Sequence, residues 1–98
     1  MNRRILTEDE LSEEMAALPG WKVISGKLVK IYEFESFAQA IGWMVSVALY
    51  ADKIDHHPDW SNSYNKINVE LITHDLKALS TLDVKLAKRM ESLFPNLS

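Results

Sequence analysis

The chain has 98 residues, 47% of them hydrophobic and 26% charged, and it contains no cysteine. This composition is typical of one globular domain over residues 1–98, and it excludes disulfides and cysteine-based metal or thiol chemistry. The formal net charge of −3 offers no basic surface for direct binding of nucleic acid. No stretch of about 18 apolar residues is present, so we expect no membrane span, no signal peptide and a cytoplasmic location.

The first third of the chain predicts a helix followed by a β-hairpin. Thr7 and Glu10 form a capping-box pattern at the helix start, and Pro19-Gly20 ends the helix. Two short β-rich segments then flank Ser25-Gly26, which predicts a tight turn. The apolar stripe of the helix consists of Leu11, Met15 and Leu18.

A second helix should run from near Ser36 to about Asp55, and it carries two neighbouring apolar rows. We expect the first row to face the sheet: Phe37, Ala40, Ile41, Met44, Val45, Ala48 and Ala51. The second row would then be exposed in a monomer: Trp43, Val47, Tyr50 and Ile54. A large exposed apolar patch predicts a contact with another copy of the chain. Coverage by a terminal segment is the alternative.

The second half predicts a further hairpin and a last helix. Strands over about 59–64 and 66–73 should be joined by a turn at Asn65-Lys66, with Ile67, Val69 and Leu71 on the buried face. The last helix starts near Ser80, with Asp83 as its capping partner, and Pro95 follows its end. Its buried stripe is Leu82, Leu86, Met90 and Leu93. The fold class is therefore α+β in the order α-β-β-α-β-β-α, an antiparallel four-stranded sheet with helices packed on one face.

All three histidines of the chain are expected to converge. His56 and His57 follow the second helix, and Pro58 disfavours further helix there. His74 ends the strand that pairs with the segment after Pro58, so the hairpin brings the three imidazoles together beside Asp52, Asp55 and Asp75.

Three chemical interpretations of this cluster remain. Imidazoles with a carboxylate can bind zinc, but adjacent histidine side chains diverge and the H-E-x-x-H pattern is absent, so we expect no metal. In a second interpretation, the three residues are surface histidines at a turn and have no chemical role. Acid–base chemistry on a small molecule is favoured, because the sequence has neither a nucleophile-elbow motif nor a glycine-rich phosphate loop.

The segment "HHPDWSNSYNKINVELITHD", residues 56–75, resembles the core of the pterin-4a-carbinolamine dehydratases. The resemblance extends to "LPGW" at 18–21, to Phe34 and Phe37, and to "LSTLDVKLA" at 79–87, and so covers most of the chain. Two positions depart from the family pattern. Asp52 stands where the family often has glutamate, and Ala78 stands where it usually has glycine.

The resemblance implies a hydro-lyase that dehydrates 4a-hydroxy-tetrahydropterin to quinonoid dihydropterin and so recycles the pterin cofactor of aromatic amino acid hydroxylases. It implies no cofactor and no metal, because the pterin is the substrate, and a homotetramer built as a dimer of dimers. The alternative is a non-catalytic dimerisation or interaction module, or an accessory protein of another pterin pathway. By resemblance the catalytic residues are His56, His57 and His74, and the substrate-binding residues are Asp52, Asp55, Trp60, Ile72, Thr73 and Asp75.

Overall fold

The structure, a computed structural model, describes residues 3–94 and contains three helices and four strands in the predicted order. The elements are α1 (Glu8–Ala16), β1 (Lys22–Ile24), β2 (Lys27–Glu33), α2 (Phe37–Ile54), β3 (Asp59–Ser63), β4 (Lys66–Leu71) and α3 (Thr81–Leu93). The strands form one antiparallel sheet in the order β1-β2-β4-β3. The predicted fold class is therefore confirmed; Pro95 lies outside the described residues. Within residues 3–94, no helix has both the length and the apolar character needed to cross a membrane.

The sheet has one buried face and one open face. Alternate positions of β4 point inward, and α2 packs against this strand and against α3. On the open face Ile31 is 64% exposed and lies opposite Asn68 in the register. This alternation is the expected pattern for an antiparallel sheet covered on one side. The buried side chains of the inner face are Leu28, Tyr32, Ile67, Val69 and Leu71.

Both hairpins have two-residue turns, but the second turn lies one residue earlier than predicted. In the first, Ser25 and Gly26 both have positive φ (51° and 76°), as a type I′ turn requires. In the second, Ser63 pairs with Lys66, so Tyr64-Asn65 forms the turn. The predicted turn at Asn65-Lys66 was wrong because Lys66 already belongs to the ladder.

The prediction for α2 was correct for Ala40 and Ala51, which are buried, but wrong about which of its large apolar side chains face the core. Trp43, Val47 and Ile54, predicted to face another copy, are at most 4% exposed in the single chain. The Trp43 ring lies 4.5 Å from the Tyr32 ring, and its indole N–H donates to the carbonyl of Met90 at 3.2 Å. The larger side chains therefore fill the space between the sheet and α3. The outer row of α2 is exposed except for half-buried Ile41: Phe37, Ile41, Val45, Ala48 and Leu49.

Capping boxes begin both α1 and α3, as predicted, with Thr7 and Glu10 in the first and Ser80 and Asp83 in the second. A short N-terminal arm, residues 3–7, lies antiparallel to the segment before α3. The amide of Leu6 donates to the Leu79 carbonyl at 3.0 Å. The first residues of the chain are therefore held next to the start of α3.

A cluster at the other end of α3 joins this helix to the sheet; we call it the Glu91 clasp (Trp21, Lys30, Tyr32 and Glu91). One oxygen of Glu91 accepts from the Trp21 indole at 3.1 Å and from the Lys30 ammonium at 2.6 Å. The hydroxyl of Tyr32 donates to the same oxygen. Burial, together with the adjacent carboxylate, raises the pKa of Tyr32 well above its ordinary value.

Candidate active site

The end of α2 positions the histidine pair. Asp55 caps the helix in the left-handed conformation (φ 52°, ψ 46°), which reverses the chain direction. The amide of His56 then donates back to the Ala51 carbonyl at 3.0 Å, a common way of ending a helix. As a result, the His56 side chain is buried beside α3, whereas His57 is exposed.

His56 is held by a buried network centred on Asp83, whose side chain is fully buried. One Asp83 oxygen accepts from His56 Nε2 at 2.7 Å. The other accepts from the Thr73 hydroxyl at 2.8 Å and from the Ser80 amide at 2.9 Å. A carboxylate can only accept, so the bond at 2.7 Å indicates a proton on Nε2 of His56.

The hydroxyl groups of this network have defined directions. Because Thr73 donates to Asp83, the 2.6 Å contact between the hydroxyls of Thr73 and Ser80 must be donated by Ser80. Ser80 in turn accepts from the amide of Leu82 at 3.2 Å. Among the described residues no buried side-chain nitrogen or oxygen lacks a partner. The network is therefore fully satisfied and fixes the orientation of the His56 ring.

The other two histidines form similar pairs at the surface. Nε2 of His57 lies 2.9 Å from a carboxylate oxygen of Asp52, one turn back on α2. Nε2 of His74 lies 2.9 Å from an oxygen of Asp59 at the start of β3. In each pair the carboxylate engages Nε2, which leaves Nδ1 as the ring nitrogen free to exchange a proton.

The three histidines line one cleft of about 330 Å³, so the predicted convergence is confirmed. Ile54 and Leu82 give the cleft an apolar part, and Asp55, Thr73 and Asp75 also line it. Asp52 is not part of the lining, because its carboxylate holds His57 from the side.

Two predicted substrate-binding residues do not line the cleft. Trp60 is half-buried on the inner face of the sheet, with its ring 6.1 Å from that of Trp43, because alternate positions of β3 point to the core. Ile72 is half-buried after the end of β4 and is also absent from the lining. The Thr73 hydroxyl is committed to Asp83, so its side chain orients the carboxylate and is not free for a ligand.

Three polar residues of the site were not recognised from the sequence. Asp83 was identified only as a helix cap, and Asp59 lies inside the "HHPDW" motif without having been assigned a role. Arg3 lines the cleft and forms a two-bond ion pair with Asp75, and no local pattern indicates it. The hydrogen bond from Arg3 holds the pKa of Asp75 below its usual range.

The arrangement is suited to moving protons. Within residues 3–94, no three histidine or acidic side chains are grouped as metal ligands would be; each imidazole is paired with a different carboxylate. A carboxylate on one ring nitrogen fixes the tautomer and the orientation of the ring. The cleft therefore presents oriented acids and bases on two separate segments, the end of α2 and the turn after β4, because β4 ends at Leu71 and not at His74 as predicted.

Comparisons with known proteins agree with this chemistry. A sequence profile of the family described as Pterin 4 alpha carbinolamine dehydratase matches residues 4–93. Curated relatives from Brucella ovis and Brucella canis, both provisionally named pterin-4-alpha-carbinolamine dehydratase, are 41% identical over 95 residues, which is 95% of this chain and 98% of theirs.

Two solved structures share the fold. A transcriptional coactivator/pterin dehydratase from Brucella melitensis has a TM-score of 0.89 at 38% identity, over 94% of this chain and 100% of its own. A pterin dehydratase-like protein, identified as a RuBisCO assembly factor in the alpha-carboxysome, has a TM-score of 0.62 at 20% identity, over 74% and 84%. The last similarity concerns the fold alone. From the profile match and the curated relatives it follows that the chain belongs to the pterin-4a-carbinolamine dehydratase family.

Proposed function

We propose that this protein dehydrates 4a-hydroxy-tetrahydropterin to quinonoid dihydropterin, which returns the cofactor of aromatic amino acid hydroxylases to its reduction cycle. The observation that carries the proposal is the cleft lined by three histidines, each paired with its own carboxylate. Membership of a dehydratase family supports the reaction type.

The reaction needs a base and an acid at two places on one ring. A proton leaves N5 while the hydroxyl on C4a departs as water, so one group accepts a proton and another donates one. His57 and His74 belong to different elements of the cleft and are exposed to it, which suits them to these two tasks. His56, held by buried Asp83, contributes an imidazole of fixed orientation.

Asp55 is the proposed partner of the amide edge of the pterin. It lines the cleft, and its carboxylate can accept from the ring N–H and amino groups. Its negative charge is unfavourable at a helix C-terminus, so the stability of the helix does not explain its place there.

The test is stopped-flow measurement of 4a-hydroxy-tetrahydropterin breakdown with wild type, His57→Ala and His74→Ala. We expect each variant to lose about 10²-fold or more of the enzymatic rate, the usual contribution of a general acid or base. Glu33→Gln, on the open face of the sheet, is the matched control and should keep the wild-type rate. Near-wild-type turnover in both folded histidine variants would remove them from the mechanism.

We further propose that neither a metal nor a redox cofactor takes part, because dehydration transfers only protons and water. Full activity after exhaustive chelation is the expected result. Loss of activity on removal of stoichiometric zinc, with recovery on its return, would contradict this.

We also propose a homotetramer, a dimer of dimers, with α2 in the contact. The outer row of α2, defined above, replaces the row predicted from the sequence. Val45 is 56% exposed and Leu49 is 71% exposed, and burying each such side chain would stabilise an assembly by roughly 1.5–3 kcal/mol. Closed symmetry lets one row pair with its copy.

Sedimentation velocity tests the assembly with Leu49→Asp. A charge at this exposed position should dissociate the oligomer and leave the subunit folded. Val47, which is fully buried, is unsuitable because a charge there would unfold the subunit. A wild-type monomer at micromolar concentration would contradict the proposal.

A second candidate function is that of an interaction module. The same exposed row favours it, and the Brucella melitensis neighbour is described as both a transcriptional coactivator and a pterin dehydratase. The two functions separate by mutation: binding of a partner through α2 should survive His74→Ala and fail in Leu49→Asp, whereas dehydration should depend on His74.

A further inference from the structure

Arg3 brings a permanent positive charge to the cleft. Among the described residues that line it, Arg3 is the one side chain that is always cationic. Its Nη1 donates to Asp75 Oδ1 at 2.6 Å, and its Nη2 donates to the second oxygen of the same carboxylate. Both oxygens of Asp75 are thus engaged, although Asp75 was expected from the sequence to contact the substrate itself.

The ion pair is not needed to fasten the N-terminal arm. Arg4, the next residue, is already held: its carbonyl accepts from the Thr81 amide at 3.0 Å, and its guanidinium donates to Glu10 at 2.7 Å. The Arg3–Asp75 pair is exposed to solvent, and exposed pairs contribute little to stability. The pair therefore matters more for the charge and hydrogen-bonding groups of the cleft than for the stability of the fold.

The N–H groups of Arg3 that do not bind Asp75 are complementary to the carbonyl group of a pterin ring. A guanidinium has five N–H groups in a rigid plane, and the two bonds to Asp75 leave three of them. Arg3 lines the same cleft as Asp55, whose ionised carboxylate can only accept. A pterin offers the complementary pair on one ring edge, a carbonyl acceptor at C4 and N–H donors beside it.

We propose that Arg3 is a substrate-binding residue, which donates to the C4 carbonyl of the pterin ring while Asp75 holds the guanidinium in place. This inference rests on the proposed function. Arg3 lies one residue before the part of the chain that the family profile matches, residues 4–93.

The test measures steady-state dehydration and the binding of 7,8-dihydropterin, a ring analogue without the 4a-hydroxyl group. Arg3→Gln should raise both KM and the Kd for dihydropterin about tenfold, as expected for a lost charged hydrogen bond, and change kcat less than about twofold. Arg3→Lys should fall between wild type and Arg3→Gln, since lysine keeps the charge without the planar fork. Arg4→Gln is the matched control, because its guanidinium is held by Glu10 and does not line the cleft.

The outcomes separate the two proposals. Unchanged KM and Kd in Arg3→Gln, with an active wild type, overturn the role of Arg3 and leave the dehydratase function standing. Equal weakening in Arg3→Gln and Arg4→Gln also overturns it, because the effect would then come from loosening the arm. A wild type that neither binds dihydropterin nor accelerates dehydration overturns both.

Discussion

Each end of α3 carries a carboxylate that accepts three hydrogen bonds, but the donors at the two ends differ in chemistry. Asp83, near its start, accepts from His56, Thr73 and the Ser80 amide. Glu91, near its end, accepts from the indole, ammonium and phenol groups of the Glu91 clasp. Only the first set includes a group of the class that exchanges protons near neutral pH. The role of a carboxylate here thus depends on its partners more than on its burial or the number of its bonds.

The largest expected difference is in catalysis. Asp83→Asn replaces one acceptor oxygen with a donor, so His56 or the Thr73–Ser80 pair loses its partner. We expect dehydration to fall by about 10²-fold or more. Glu91→Gln, the matched change at the other end of the helix, should keep kcat within about twofold, measured by stopped flow on protein shown to be folded by circular dichroism. Equal losses in the two variants would mean that the two ends do not differ in role.

The second difference concerns stability. Glu91→Gln removes the charge that Lys30 faces across 2.6 Å in a partly buried site. We expect the free energy of unfolding to fall by about 1.5–3 kcal/mol, the range for hydrogen bonds to charged groups. Urea unfolding measures this, with exposed Glu33→Gln as the control. A change as small as that of the control would show that the clasp does not stabilise the fold.

The smallest effect appears only at high pH. The pKa of Tyr32 is raised in the folded protein, so its contribution to stability is complete below the unfolded pKa of about 10 and is lost as the pH rises above it. The slope should be about 1.4 kcal/mol per pH unit, and Tyr32→Phe should lack this component. Urea midpoints between pH 8 and pH 11 measure both proteins. The same pH dependence in each would exclude Tyr32 as its source.

Much of the fold was predictable because local signals were strong. Capping boxes fixed the starts of α1 and α3, and the alternation of Ile67, Val69 and Leu71 fixed the inner face of β4. The side of α2 that faces the core was not predictable, because the helix is apolar nearly all round. That choice depends on the space left between the sheet and α3, which Trp43 fills.

The part of the site that depends on the topology of the fold was predictable. Hairpin topology brings His74 to the corner of His56 and His57, and this needs only the strand order. Which carboxylate pairs with each histidine depends on side-chain positions in three dimensions. Asp83 reaches His56 from α3 and Arg3 reaches the cleft from the N-terminal arm, so no spacing rule indicates them.

The outer row of α2 ends beside the histidine cleft. Ala48 and Asp52 are four residues apart and so share one face of the helix, and the carboxylate of Asp52 holds His57 at 2.9 Å. A partner seated on this face would therefore lie within one helical turn of an imidazole in the cleft. The NMR signals of His57 thus become a reporter of assembly, readable without any substrate present.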